Sequence, residues 1–519
     1  MLAIHLVPPG GQAYYLATVQ SGRRDGTRLV EPDGIWLGAT ALAMGLHGAP
    51  VTPQALGALL AGIDPATGEV LDPRHHRVRN VAYDCTFSPP KSVSILHALA
   101  RPDVVAEVRA AHESSVAATL GYLERRATVV RRRSDGERSS VPAGGLGAAS
   151  FLHRSSRAAD PHLHSHVLVA NLAADESGRW SALDSRRLFL HAAAASALYG
   201  AHLRAELAHR LGVGFEQTTG HGDVLGIGRR VVEAFSRRSQ AISAELAEAS
   251  ERGPVSERLA SLLTRPEKDL TASYEELQDE WRQRMRSLGI SPQRLDEAVG
   301  VRRSQPGLVA GGGAHSDRNP PGGGMPELPL GHLARRELVA WCARASAAGA
   351  RVEAVELLVD DLARHGQVMA AGSAQPRLHR AVRYLPAGVD EERYVTPATA
   401  LLERRWHEAI AAAPDAAPAS LSGWPAGLSV IELPAGALDR AITLARLGEA
   451  HARSGGRIVA VVAGGMCRAA GLEGSSGVET VAAAAHLPTL RAATLLVEEQ
   501  LVEHSPQLAA EVLRRAEGG

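Results

Sequence analysis

No stretch limits this chain as tightly as Asp160-Pro161-His162-Leu163-His164-Ser165-His166-Val167-Leu168-Val169-Ala170-Asn171. From His162 onward the residues alternate in a way that predicts a β-strand. Side chains two apart on a strand share a face, so His162, His164 and His166 point one way, with Cβ atoms ~6.5–7 Å apart. Imidazoles at that spacing can reach one cation, and a ring from a neighbouring strand would close the site. His153, in the apolar-flanked run Ser150-Phe151-Leu152-His153, is the natural donor of that ring. The competing reading is a histidine-rich surface strand. It is the weaker one, because each desolvated ring on a crowded face needs a partner. A metal site is expected.

Asn80-Val81-Ala82-Tyr83-Asp84-Cys85-Thr86-Phe87-Ser88 also alternates like a strand, and Pro89-Pro90-Lys91-Ser92 turns it into a helix over 93–99. Asp84 stands in a mostly apolar strand, where a carboxylate is costly unless paired. A capping or ion-pairing role and a catalytic role both fit it. Of the 56 cationic residues only Lys91 and Lys268 are lysine. An ammonium at a helix start is unfavourable unless it is aimed at an anion, so Lys91 is a site candidate beside the alternative of coding accident. Tyr14-Tyr15 open a helix that begins near Gln12, after the Pro8-Pro9-Gly10-Gly11 break. Adjacent helical positions differ by ~100°, so at most one hydroxyl aims squarely at a given point. Aromatic packing is the plainer reading of the pair taken alone.

Amphipathic helices are expected over 102–123, 188–211 and 229–249, with further strands near 178–183 and 213–215, which makes an α+β pattern without βαβ alternation. His75 and His76 offer a second metal pair, but adjacent side chains diverge, and solvated loop histidines are the stronger reading. The formal net charge is zero, so any nucleic-acid surface has to be a local patch. Seven arginines against four acids between Arg109 and Arg138 supply the clearest one, with Arg131-Arg132-Arg133 beside a Ser/Gly-rich loop. Such a run is either a solvated face or a grip on phosphates. The three cysteines are far apart and suggest neither a disulfide nor a thiolate-metal framework. The first residues lack the features of a secretion leader, and no apolar run is long enough to span a bilayer, so a cytoplasmic location is expected.

The order Tyr14-Tyr15, Asp84-Cys-Thr-Phe-Ser-Pro-Pro-Lys91-Ser-Val, Phe151-Leu-His153-Arg-Ser-Ser-Arg157, Asp160-Pro-His-Leu-His164-Ser-His166, Phe235-Ser-Arg-Arg resembles the TrwC/TraI-type (MobF) conjugative relaxases over residues 1–301. The resemblance implies a histidine-hydrophobe-histidine fold, an antiparallel sheet with flanking helices that carries a three-histidine metal site. It implies metal-dependent nicking and joining of single-stranded DNA at a transfer origin, through a covalent 5′-phosphotyrosine. Carried over, His153, His164 and His166 are the ligands of a divalent ion (Mg, Mn or Zn). Tyr14 is the nucleophile, with Tyr15 beside it, and Asp84 is the polariser or base nearby. Lys91 joins the catalytic set. Arg131, Arg132, Arg133 and Arg157 are assigned to DNA. Implied partners are single-stranded DNA with its origin hairpin, a coupling protein and accessory relaxosome proteins. Two departures stand out. Ser21–Arg28 lacks the second tyrosine seen in many relatives, and His162 replaces what is usually an uncharged polar residue.

A Gly/Pro linker is expected at 302–330, then a small mostly helical domain at 331–413 with a β-ribbon at Arg383-Tyr384 and Arg393–Val395. Residues 414–519 resemble a truncated α/β RecA-like helicase lobe. A working phosphate loop needs glycines and a Lys followed by Ser or Thr. The aligned positions hold Leu433, Leu438, Asp439 and Arg440, and Glu498 stands where an Asp is expected. No ATP use is expected. Two functions remain in view: a nicking-joining enzyme, and an inactive relaxase remnant that binds DNA.

Overall fold

The computed structural model describes residues 1–15, 31–134, 137–216, 222–248, 264, 273–291, 293–300, 327–374 and 391–412, and strands at 427–430, 457–461, 478–481 and 493–497. The chain divides into two units. One comprises residues 1–326, 336–359 and 375–390, the other 327–335, 360–374 and 391–519.

The first unit's strands are β1 (Leu2–Val7), β2 (Ile35–Leu37), β3 (Ala82–Phe87), β4 (Val129–Ser134), β5 (Glu137–Pro142), β6 (Ala148–Ser155), β7 (Pro161–Ala170), β8 (Ala173–Ala174) and β9 (Trp180–Ser181). Its helices are α1 (Ala39–Ala43), α2 (Pro53–Leu60), α3 (Lys91–Leu99), α4 (Pro102–Ala127), α5 (Ser185–Leu211), α6 (Arg229–Ala234), α7 (Arg237–Glu248), α8 (Tyr274–Ser287) and α9 (Arg294–Glu297). The main sheet is antiparallel, in the order β1-β3-β7-β6-β2, so the histidine strand β7 lies at its centre. The α+β architecture with an antiparallel sheet is the expected one.

Register decides what shares a face, because residues directly opposite one another project the same way. Thr86 and Phe151 both oppose His166, and His153 opposes His164. The other face carries Tyr83, Cys85 and Phe87 from β3 with Leu163, Val167 and Val169 from β7, all buried. Helix α3 packs on β7 and α5 on β1, and α4 packs against both helices. One polar thread crosses the packing: His112 of α4 lies 2.8 Å from the Tyr199 hydroxyl of α5 and 2.8 Å from the Ser165 hydroxyl of β7. The two long helices are well terminated. Pro102 opens α4, Asp184 caps α5, and Gly212 ends α5 with φ 64°, a left-handed cap that favours glycine.

Several local expectations are corrected. Arg131–Arg133 lie in strand β4 rather than beside a loop, in a hairpin with β5. The helix expected over 229–249 is two, α6 and α7, broken at Phe235-Ser236, where Phe235 is buried and the Ser236 hydroxyl donates to the Val232 carbonyl. His75 is buried rather than solvated, in a short 3₁₀ turn packed beside Gly62.

Residues 336–359 belong to this unit although they follow the expected linker. Arg204 on α5 donates to the carbonyls of Ala343 and Ser346, at 3.4 and 3.1 Å. Ala350 N–H donates to the Ala201 carbonyl at 3.0 Å, and Glu356 accepts from Arg125 and Arg126. Gly349 has φ 88°, and a Cβ there would sit 2.3 Å from Ala205 N, so only glycine permits this approach to α5.

In the second unit β10 (Leu333–Ala334), β11 (Met369–Ala374) and β12 (Glu391–Val395) form an antiparallel sheet in the order β10-β12-β11. Arg393–Val395 is thus a strand as expected, but β11 is its ribbon partner; Arg383-Tyr384 lie outside the described residues. The strands 427–430, 493–497, 457–461 and 478–481 follow one another in a parallel sheet. The expectation missed the strand at 478–481. Leu433, Leu438, Asp439, Arg440 and Glu498 lie outside the described residues, as do residues 301–326 of the linker region.

Buried neutral histidines set a pH dependence. Burial above all draws His97 down to about 4, and His112 and His191 to about 3. The unfolded chain binds these protons near pH ~6.5, before the folded one does, so stability is full above that value and is lost as pH falls through the folded values. Thermal unfolding followed by circular dichroism should give a midpoint that is flat above pH ~7 and declines steadily towards pH ~4. A midpoint that held constant or rose on acidification would contradict this burial.

Candidate metal centre and tyrosine pair

The sheet brings together His153 on β6 with His164 and His166 on β7, and their ligand-capable atoms lie within 4.8 Å of one another. Ring centroids are 5.2 Å apart for His153–His164, and 5.1 Å for both His153–His166 and His164–His166. His153 and His164 are buried and His166 is half-buried, so the cluster opens at His166.

The bonds behind the rings decide which nitrogens face the gap. His166 Nδ1 lies 2.8 and 3.0 Å from the Asp84 carboxylate oxygens, and His164 Nδ1 lies 2.9 Å from the His162 carbonyl. Both partners only accept, so both Nδ1 atoms donate, and in each ring Nε2 is the nitrogen suited to serve as a ligand atom. A carboxylate or carbonyl behind a ligating imidazole is the usual way its tautomer and orientation are held. An all-imidazole donor set with these partners fits a divalent transition ion.

Asp84 is the hub. Its Oδ2 accepts from the Tyr15 hydroxyl at 2.8 Å, and its Oδ1 accepts from Thr86 Oγ1 at 3.2 Å. Burial works against its charge, and the hydrogen bond and charge of His166, with the Tyr15 bond, outweigh it; the carboxyl sits below its usual range. The tyrosine on Asp84 is therefore Tyr15, where the expectation set Asp84 beside Tyr14. Tyr14 is 42% exposed and meets the Tyr15 ring edge-on at 5.2 Å. Burial first, then the charge and hydrogen bond of Asp84, push the Tyr15 phenol well above the ordinary tyrosine range.

Other site candidates go elsewhere. His162 is not among the three clustered histidines; half-buried on β7, its ring stacks on His164 at 4.5 Å, and burial draws its imidazole well below the usual value. Lys91 is not aimed at an anion: Nζ donates to the Pro161 carbonyl at 2.7 Å, and burial, opposed by Asp160, draws the ammonium down to about 8. Arg132, expected to grip phosphate, is half-buried with its fork engaged by Asp175, Ser181 and the Arg179 carbonyl. Arg131 keeps 53% of its side chain exposed, 3.7 Å from Asp184. Arg133 lies on β4 and Arg157 on the turn between the ligand strands. Two residues were missed. Thr86 also lies 3.2 Å from His166 Nδ1, a contact foreshadowed by its period-two spacing from Asp84. His5, exposed on β1, is directly opposite Asp84, and only the β1–β3 register reveals it.

The family model for the TrwC relaxase matches residues 9–288. The multifunctional conjugation protein TraI of Escherichia coli is 31% identical over 290 residues, which is 52% of this chain and 16% of that protein. TraI of E. coli strain K12 is 30% identical over 288 residues, 53% of this chain and again 16% of the relative. The chain thus matches only a small part of these curated relatives. Among solved structures, metal-free conjugative relaxase TrwC in complex with oriT DNA aligns with a TM-score of 0.50 at 26% identity, covering 56% of this chain and all of that one. A copper-bound TrwC–oriT complex aligns with a TM-score of 0.50 at 27% identity and the same coverage. With the family match extending over more than half of its residues and the fold shared with DNA-bound TrwC, the chain belongs to the TrwC relaxase family.

Proposed function

We propose that this protein nicks and rejoins one strand of DNA at a transfer origin, with Tyr14 as nucleophile and His153, His164 and His166 as the metal ligands. The observation that carries the reading is the imidazole cluster, joined through Asp84 to the tyrosine pair. A divalent ion held there supplies charge withdrawal from the scissile phosphate and fixes it for in-line attack.

The chain's own residues do the rest. Asp84 holds the His166 ring and keeps its proton on Nδ1. Tyr15 fills the remaining side of Asp84, and its depressed acidity makes it the harder of the two phenols to use. Tyr14 is exposed and edge-on to Tyr15, whose ring centroid lies 6.2 Å from that of His166. Its oxygen bonds to phosphorus as the bond from phosphorus to the 3′ oxygen breaks. The phenol loses a proton and the departing 3′ oxygen gains one. The phosphotyrosine conserves the bond energy, so the 3′ hydroxyl can reverse the step without a nucleotide. With no second tyrosine in Ser21–Arg28, a second cleavage by such a residue is not part of the proposed round; that segment lies outside the described residues.

Support for DNA as partner comes from the TrwC complexes with oriT DNA, and the TraI relatives are conjugation proteins. A coupling protein and accessory relaxosome proteins complete the proposed assembly. No described helix is long and apolar enough to cross a membrane. We read residues 414–519 as a RecA-like lobe without ATPase activity, on the parallel strands and on Asp439-Arg440 where Lys and a hydroxyl are needed.

Single-stranded oligonucleotides tiling the DNA around the protein's own gene, incubated with Mn²⁺ or Mg²⁺, should give an SDS-resistant adduct. Tyr14→Phe should abolish it, and Tyr15→Phe should leave it at reduced rate. Loss only in Tyr15→Phe would move the nucleophile, and DNA binding without any adduct would favour the non-catalytic remnant. Asp84→Asn should weaken Mn²⁺ or Co²⁺ binding about 10–100-fold in calorimetry; unaltered binding would remove Asp84 from the support of the ligands. A fluorescent ATP analogue titrated with Mg²⁺ should show no saturable binding, whereas micromolar binding would restore a working nucleotide site.

A further inference from the structure

We infer that Asp160 is a positioning residue for the metal centre, tying the turn between the two ligand strands to helices α7 and α8. The inference rests on the reading of His153, His164 and His166 as ligands. His153 stands near the end of β6 and His164 near the start of β7, so the intervening turn sets how far apart the two rings lie.

The ladder alone does not hold that turn. His153 pairs with His164, but the register shifts immediately beyond, between His153 and Ser155. Such irregularities leave a residue out of the ladder and bend the strand. Within the turn, Ala159 has φ 54°, and among the described residues it is the non-glycine residue with positive φ. A side chain held in that region signals that the surroundings impose the conformation.

The surroundings are visible residue by residue. Asp160 is 1% exposed. Its Oδ2 accepts the Arg237 backbone N–H at 2.9 Å; its Oδ1 accepts Arg237 Nε at 2.9 Å and Arg284 Nη1 at 2.8 Å. Arg237 also donates to the Ala158 carbonyl at 2.6 Å, and Trp281 Nε1 donates to the Ala159 carbonyl at 2.8 Å. At the other end of the turn the Arg154 guanidinium lies 3.7 Å from the Tyr274 ring centroid. Tyr274, Trp281 and Arg284 fall at i, i+7 and i+10 of α8, close to one face of a helix with 3.6 residues per turn. That face grips both ends of the turn. Asp160 is where the grips of α7 and α8 meet, and a buried carboxylate between two guanidiniums is costly to neutralise.

A position in the turn is thereby converted into a position of His164, four residues on. Arg237 comes from the Phe235-Ser-Arg-Arg motif, which the proposed chemistry otherwise leaves without a task. Asp160 would touch neither substrate nor ion; it acts through the strands.

The test is Co²⁺ titration of the full chain, read by the visible d–d absorption bands and by affinity. The wild type should bind with the spectrum of a nitrogen-ligated ion; if it shows no binding, the metal reading itself fails. Asp160→Asn should bind about tenfold or more weakly, on the scale of losses seen for groups that orient ligands, with an altered band pattern. Its far-ultraviolet circular dichroism should match the wild type. A folded Asp160→Asn protein with wild-type affinity and spectrum would overturn the inference while leaving the metal reading intact. Should that variant fail to fold, Arg284→Gln and Arg237→Gln each remove one grip, the second keeping the backbone bond to Asp160. Weakened Co²⁺ binding with altered bands in both supports the inference, and wild-type behaviour in both refutes it. Arg284→Lys, which keeps the charge, should recover part of the affinity lost in Arg284→Gln.

Discussion

A buried carboxylate that must stay charged governs the face of the sheet that carries the histidine cluster. Asp84 is 4% exposed, and burial alone would favour its neutral form. It is held ionised by the His166 ring, the Tyr15 hydroxyl and the Thr86 hydroxyl, so each of those groups is fixed by the need to satisfy it. The consequences run in two directions. Through His166 the carboxylate selects the imidazole tautomer that leaves Nε2 for a cation. Through Tyr15 it pins the helical turn at residues 13–15 to the sheet and so decides where Tyr14 stands. Remove that charge, and the ring orientation and the tyrosine placement lose their common anchor.

The same strand shows how little the residue type says without its surroundings. On one face of β7, His164 and His166 each receive a proton acceptor at Nδ1 and stand beside the His153 ring. Against the other face, His112 reaches Ser165 with one nitrogen and Tyr199 with the other, so both of its polar atoms are used within the packing. One histidine environment prepares a ligand and the other fills a core. Apolar packing of Leu163, Val167 and Val169 against the helices is what makes the difference stable, since a slip of one residue would exchange the faces.

Much of this was legible in the sequence because it depends on period-two spacing. The central strand, the shared face of its histidines, the strand around Asp84 and the long helices all follow from local pattern. What was not legible depends on partners distant in sequence. Nothing in Pro89-Pro90-Lys91 says that the ammonium will meet the Pro161 carbonyl, and nothing in Arg131-Arg132-Arg133 says that Asp175 will absorb the middle residue. The break of 229–249 at Phe235 likewise answers to burial of that ring rather than to helix propensity. Which of two adjacent tyrosines reaches Asp84 is fixed by helix rotation, a quantity no residue spacing reports. The residues 336–359 return to the first unit through Gly349, a glycine that looks ordinary until α5 is seen beneath it.

The arginine bookkeeping finally bears on how a neutral chain can hold a polyanion. Arg125 and Arg126 engage Glu356, Arg132 engages Asp175, Arg186 engages Asp184, and Arg237 and Arg284 engage Asp160. Cations committed in this way release few counterions from DNA and contribute little long-range attraction. The 56 acidic and 56 basic residues cancel formally, so no global field replaces them. On the proposed reading, recognition rests on contacts at close range, on the face that carries the imidazole cluster and the tyrosine pair. Of these arginines, Arg237 and Arg284 brace the turn between the strands that carry His153 and His164, through Asp160.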